Sequence, residues 1–183
     1  MSRILRLGIL LLLISCGGGQ YSAPRDLDNA CAIVGERPQY LAAMQRSERK
    51  WGVPVHVQMA TVYQESKFIG NAKTPRKFFL GFIPAGRRSS AYGYSQALDG
   101  TWDDYVASTR SFGARRNKFE DAADFIGWYM DRSQKKLDIS KWDAGGQYLA
   151  YHEGHAGYAR GSHREKAWLL RVADDVAARS EKY

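Results

Sequence analysis

The sequence predicts a mainly α-helical domain with one short hairpin or lid inserted. Three observations support this. Apolar residues recur at helical spacing through most of the chain beyond Pro38. Strand-like alternation is scarce. A single stretch, Asn71 to Ser90, breaks the helical pattern with Gly81, Pro84 and Gly86.

The helices are taken in order. Tyr40, Leu41, Met44 and Trp51 define a first amphipathic segment over Gln39 to Trp51, ended by Gly52. Pro54 opens a second, running to about Phe68, with Val55, Met59 and Val62 on its apolar face. A third is capped by Asp99 or Thr101 and extends through Val106. Phe119 to Lys136 carries Phe119, Ala122, Ala123, Ile126, Tyr129 and Met130 on one face. Another helix begins over Gly146 to Tyr151, and Gly154 is expected to break it. The last covers Glu165 to Arg179, with Trp168, Leu169, Val172 and Val176 inward.

The chain has 183 residues, enough for one well-packed domain, and 44% hydrophobic and 13% aromatic content suit a real core. Its formal net charge is +8. That charge favours acidic surroundings without choosing among nucleic acid, anionic lipid and acidic polymers.

The N-terminus narrows the choice. Arg3 and Arg6 precede an apolar run from Leu7 to Ile14, which is shorter than the roughly 20 residues needed to span a bilayer. Leu13-Ile14-Ser15-Cys16 follows, and then three glycines. This resembles the lipobox of bacterial lipoproteins. The resemblance implies a signal peptide over 1–15, acylation at Cys16, and a flexible tether over 16–37 before a catalytic-size domain at 38–183. Several acyl chains on one residue give stable anchoring. Gly17 in place of Asp after the cysteine implies the outer membrane of a Gram-negative cell, on its periplasmic face. An exported chain has no nucleic-acid partner. With Cys16 lipidated, only Cys31 is left, so no internal disulfide is possible, and Cys31 is expected to be a small buried hydrophobe.

Glu65 is the most informative residue of the folded region. It sits three residues after Val62, at the edge of the apolar face and near a helix C-terminus. Burial and the negative end of the helix dipole both disfavour its charged form. A carboxyl kept protonated near neutral pH is what a general acid needs. The structural alternative is an edge-of-core glutamate paired with a cation such as Lys67.

Two later motifs favour the chemical reading. Gly93-Tyr94-Ser95-Gln96 precedes a turn and helix, and Ala150-Tyr151-His152-Glu153-Gly154 lies near the end. With Glu65-Ser66 they form an ordered set. It resembles the lytic transglycosylases with a soluble-lytic-transglycosylase (SLT) catalytic domain, related in fold to goose-type lysozyme. In that family the set reads Glu-Ser, Gly-Leu-Met-Gln, and Ala-Tyr-Asn-Ala-Gly.

The resemblance implies a lysozyme-like (α+β) fold and a peptidoglycan substrate, cut between N-acetylmuramic acid and N-acetylglucosamine. Glu65 would be the one catalytic carboxylate, acting as acid and then as base to leave a 1,6-anhydro end. Ser66 would orient Glu65 or touch the substrate, Gly93 and Gln96 would line the cleft, and Tyr151 would hydrogen-bond near Glu65. No cofactor is implied, and the chain would act as a monomer beside other cell-wall enzymes.

The departures are Tyr94 and Ser95 for Leu and Met, and His152 and Glu153 for Asn and Ala. His152 and Glu153 are therefore possible cleft contacts. A Glu153 that faced the cleft and positioned water would make the enzyme a lysozyme-type hydrolase; otherwise it is a solvated surface residue. A non-catalytic, peptidoglycan-binding lipoprotein is the remaining alternative. The run His152 to His155 does not fit a zinc helix, because its histidines stand at i and i+3 instead of i and i+4.

Overall fold

Left-handed residues and prolines mark the helix boundaries. Pro38 opens α2 (Pro38–Trp51), where its missing N–H costs nothing, and Gly52 closes it at φ 74° with its N–H on the Glu48 carbonyl. Pro54 caps α3 (Val55–Ser66), and Lys67 ends it at φ 51°. Arg110 and Asp138, also left-handed, end α4 (Asp99–Thr109) and α5 (Phe119–Leu137). Asp143 accepts the Gly146 N–H at the start of α6 (Ala144–Ala159), and α7 (Ala167–Lys182) closes the chain. The computed structural model describes residues 21–80 and 82–183. The expected signal peptide and Cys16 lie outside these residues. Among the described residues no helix is long and apolar enough to cross a membrane.

The expected inserted hairpin is present. β1 (Arg76–Phe79) pairs antiparallel with β2 (Ile83–Arg87), in the register Arg76 to Arg87 and Phe79 to Ile83. Leu80 and Phe82 at its tip are exposed, so these two side chains do not pack on the helical body.

α3 and α5 form the centre. α5 packs against α2, α3, α4 and α6, and α3 against α2, α5, α6 and α7. All six residues expected on the apolar face of α5 are buried, and Phe125 and Trp128 join them, so the helix is enclosed on more than one side. Two polar residues inside this core tie helices together through their donors. The buried Gln58 amide donates to the carbonyls of Met44 and Val53, at 3.1 and 2.8 Å. The Ser47 hydroxyl donates to the Ala123 carbonyl at 2.8 Å, where α2 and α5 pass closely enough that a Cβ on Gly127 would collide with Ser47.

The folded body begins before Pro38. α1 (Ala30–Glu36) is capped by Asn29 and buries Ile33 completely. The segment ahead of it is tied to the C-terminus: Asp28 pairs with Arg179 at 2.9 Å, and the Tyr183 hydroxyl donates to the Leu27 carbonyl. Residues 21–36, which compositionally resemble a tether, thus belong to the folded body, with α1 packed on α2 and the segment before it tied to α7. Two other expectations are corrected. Cys31 is exposed, because Ile33 takes the inward position of this short helix. Trp168 is 50% exposed, because the inward line of α7 runs through Leu169, Ala173 and Val176, and Trp168 lies one residue off that line.

Asp124 joins three helices. Its carboxylate accepts from Trp51 Nε1 (2.8 Å) and Lys50 Nζ (2.9 Å) of α2, and from the Tyr105 hydroxyl of α4 (2.8 Å). Removing it strands two neutral donors and one cation. Asp124→Ala is expected to lower unfolding free energy by about 2 kcal/mol in denaturant titration. An unchanged midpoint would show that these bonds are replaced by water without loss.

Candidate active site

Glu65 occupies the penultimate position of α3, where the chain turns left-handed at Lys67 and Phe68. Its carboxyl is enclosed by protein, and only part of the residue reaches solvent. Desolvation raises its pKa to about 7. A hydrogen bond from the Tyr148 hydroxyl and the charge of Lys67 act in the opposite direction and are outweighed. No second carboxylate contributes to the shift.

Lys67 does not form the salt bridge that a purely structural glutamate would need. Its ammonium lies 3.6 Å from the centre of the Tyr63 ring, which also carries the Arg179 guanidinium at 3.4 Å. Lys67 therefore acts on Glu65 only through space. Ser66 turns inward. It is buried, and its hydroxyl donates to the Val62 carbonyl of its own helix at 3.2 Å. That bond supports the end of α3, next to Glu65.

The second motif is a turn fastened on three sides. Gly93 has φ 79°, and a Cβ there would stand 2.1 Å from the Arg116 carbonyl oxygen, so only glycine fits. Its N–H donates to the Ala72 carbonyl at 3.0 Å. The Gln96 amide nitrogen reaches the Ala72 and Gly93 carbonyls, at 3.0 and 2.9 Å, while Gln96 itself is left-handed at φ 48°. Gln96 thus holds the turn onto the chain that leaves α3, and it also borders a pocket.

The departures in this motif have a packing reason. Tyr94 is buried in an aromatic cluster with Tyr40 and Phe119, and its hydroxyl lies 3.0 Å from that of Tyr40. Tyr40 stacks on Phe119 at 3.7 Å and more distantly on Phe68, two residues past α3. Ser95 is fully buried, and its carbonyl accepts the Tyr151 hydroxyl at 2.6 Å.

Tyr151 therefore links α6 to the Gly93–Gln96 turn. Its ring packs on Phe125 and Tyr129, with centroids 6.3 and 5.0 Å away. It feels the charge of Glu65, and burial pushes its own pKa far up, so it remains a neutral donor. The tyrosine whose hydroxyl favours the ionised form of Glu65 is Tyr148, which sequence analysis missed. Its signal was available: Tyr148 precedes Tyr151 by three positions, and residues so spaced share a helix face. Burial together with the neighbouring Glu65 also keeps Tyr148 protonated.

Gln96, Tyr151, His152 and Glu153 all border one pocket of about 180 Å³, with Leu98 and Phe125 among its other walls. Gly154 borders the same pocket and, at φ 72° and ψ 155°, kinks α6 immediately beyond Glu153. Glu153 is not a solvated surface residue: its side chain is only 4% exposed. Lys166 Nζ donates to both carboxylate oxygens, at 2.7 and 2.9 Å, the Ser162 hydroxyl donates to it as well, and His152 lies 3.1 Å away. Lys166 above all, with Ser162, lowers the Glu153 pKa to about 2. The two glutamates are thus held in opposite states at neutral pH, one substantially protonated and the other ionised and paired. His155 has other partners. It stacks on Tyr129 at 4.4 Å, bonds Ser133 at 3.0 Å, and is held neutral by burial, with its pKa lowered to about 4.

An acid of near-neutral pKa at a helix end, with a tyrosine on it, is a constellation able to deliver a proton and take one back. No curated protein matches the chain. A family model described as the transglycosylase SLT domain matches residues 4–183. That match spans the Glu65 helix, the Gly93–Gln96 turn and the Tyr151 helix together, and the chain belongs to the transglycosylase SLT domain family.

Proposed function

We propose that this chain is a peptidoglycan lytic transglycosylase in which Glu65 is the only catalytic carboxyl. The observation that carries this reading is the raised pKa of Glu65, caused by desolvation with no second acid involved. The protonated carboxyl gives its proton to the glycosidic oxygen between N-acetylmuramic acid and N-acetylglucosamine, and the C1–O bond breaks. The N-acetyl oxygen of the muramic acid bonds to C1 in the leaving group's place. Glu65, now ionised, takes the proton of the C6 hydroxyl as that oxygen attacks C1 and expels the N-acetyl oxygen. The product is a 1,6-anhydro end, and no water is consumed. This is a substrate-assisted variant of the two-carboxylate scheme. Tyr148 steadies the carboxyl in both states, and Tyr151 keeps the Gly93–Gln96 turn against α6. Acylation at Cys16 would hold the domain at the periplasmic face of the outer membrane. The position of Cys16 after Leu13-Ile14-Ser15 supports this, and Cys16→Ala should move the protein from the membrane to the soluble fraction.

The tests follow from the chemistry. Glu65→Gln is expected to reduce lysis of purified sacculi by at least about a thousandfold, since it removes both the acid and the base. Full lytic activity in that variant would end the proposal. In the active protein, kcat/KM should fall about tenfold per pH unit above about 7, where Glu65 loses its proton.

The same shift has a stability signature. A carboxyl whose folded pKa lies above its unfolded one penalises folding as pH rises from about 4.5 to about 7, and the penalty persists above that range. Glu65→Gln should therefore stabilise the protein at pH 8 by roughly 2–3 kcal/mol more than at pH 4. Equal effects at both values would mean that Glu65 is not desolvated.

The pairing of Glu153 favours the lyase reading over the hydrolase alternative. Bound to Lys166 and fully ionised, it is poorly suited to activate water. Glu153→Gln is expected to keep anhydro products and lose no more than about tenfold in rate. A switch in product type would assign Glu153 a chemical role.

A further inference from the structure

Single exposed hydrophobic residues are ordinary on protein surfaces. Trp168 differs because it ends a series of rings that begins at the acid. Tyr148, the tyrosine that acts on Glu65, is buried. One helical turn on, the His152 ring lies 6.4 Å from that of Tyr148. Trp168, at the start of α7, meets His152 edge-on at 5.2 Å and is 50% exposed. The series thus runs outward along α6, from a buried ring to an open one. His152 also borders the pocket that Gln96 and Tyr151 line, so the middle ring stands beside the second and third motifs.

The outer rings are fixed in place. Lys166 is the cap of α7, two residues before Trp168, and it is clamped to Glu153, the neighbour of His152. Glu153 also holds His152 Nδ1 at 3.1 Å. The Glu153–Lys166 ion pair thus ties the element that carries His152 to the start of α7, which carries Trp168, and this gives Glu153 a positioning task.

We propose that His152 and Trp168 form an outer sugar-binding platform of the Glu65 cleft, for a pyranose ring of the glycan strand at some distance from the cleavage point. The inference rests on the reading of this cleft as a glycan site. The faces of a β-1,4-linked pyranose carry C–H groups, while its hydroxyls lie around the rim. Packed on an indole face, the ring buries apolar surface and leaves its hydroxyls in water or in reach of His152. A second exposed tryptophan provides a control. Trp142 is 71% exposed but stands near His56, in the first turn of α3, at the opposite end of that helix from Glu65.

The experiment measures binding of chitohexaose and chitotriose to the full chain carrying Glu65→Gln, by calorimetry and by tryptophan fluorescence. Adding Trp168→Ala is expected to weaken hexamer binding about fivefold to tenfold, to abolish most of the fluorescence change, and to leave trimer binding unchanged. Trp168→Tyr should restore most of the affinity, and Trp142→Ala should have no effect. With Glu65 intact, Trp168→Ala should raise KM on soluble glycan strands by a similar factor, leaving kcat within about twofold and the pH profile in place. Hexamer affinity unchanged by Trp168→Ala would overturn the platform while leaving the cleft reading intact. Absence of any hexamer binding in the Glu65→Gln chain would overturn both.

Discussion

The desolvation of one carboxyl at the end of α3 is the constraint on which the rest of this site depends. A glutamate so placed would normally recruit the nearest lysine. Here the nearest lysine, Lys67, lies on the Tyr63 ring, so Glu65 has a tyrosine hydroxyl for company and a pKa near neutrality. Holding that carboxyl dry requires α6 to lie close, and α6 is held close by bonds that do not involve Glu65 at all. Tyr151 reaches across to the Ser95 carbonyl, and the turn that offers this carbonyl is fixed to the chain after α3 through Gln96 and Gly93. The three motifs are therefore one mechanical unit. The first supplies the acid, the second a fastened edge, and the third the helix that covers them.

Much of this was legible in the sequence because it rests on periodicity and on special residues. The i, i+3, i+4 pattern of α5 identified six core residues, all of them buried. Gly52 announced the end of α2, and Pro84 and Gly86 the break that became a hairpin. Glu65 could be placed at the end of its helix by counting from Val62. The ordered motifs gave the family, and the family match over nearly the whole chain agrees with it.

What was not legible depends on partners distant in sequence. Glu153 read as solvated because nothing nearby in sequence suggests Lys166, thirteen positions on, as its clamp. Trp168 read as inward because a helical stripe one residue wide of the true one fits the same apolar letters. Cys31 and the stretch from Tyr21 to Glu36 suffered likewise. Composition there resembles a linker, yet α1 packs on α2, and Leu27 and Asp28 before it are held by Arg179 and Tyr183, some 150 positions away. The substitutions within the second motif belong to the same class. Tyr94 is explained by Tyr40 and Phe119, which complete a buried aromatic cluster that the motif alone does not foretell.

The central claim is that one glutamate acts first as acid and then as base on the same glycan, with water excluded from bond formation. Its most direct test is to digest intact sacculi in water enriched in heavy oxygen and to weigh the released muropeptides by mass spectrometry. The account predicts 1,6-anhydromuramic ends that carry no label. Reducing muramic ends bearing one heavy oxygen would contradict it, and would make the enzyme a hydrolase on the same scaffold.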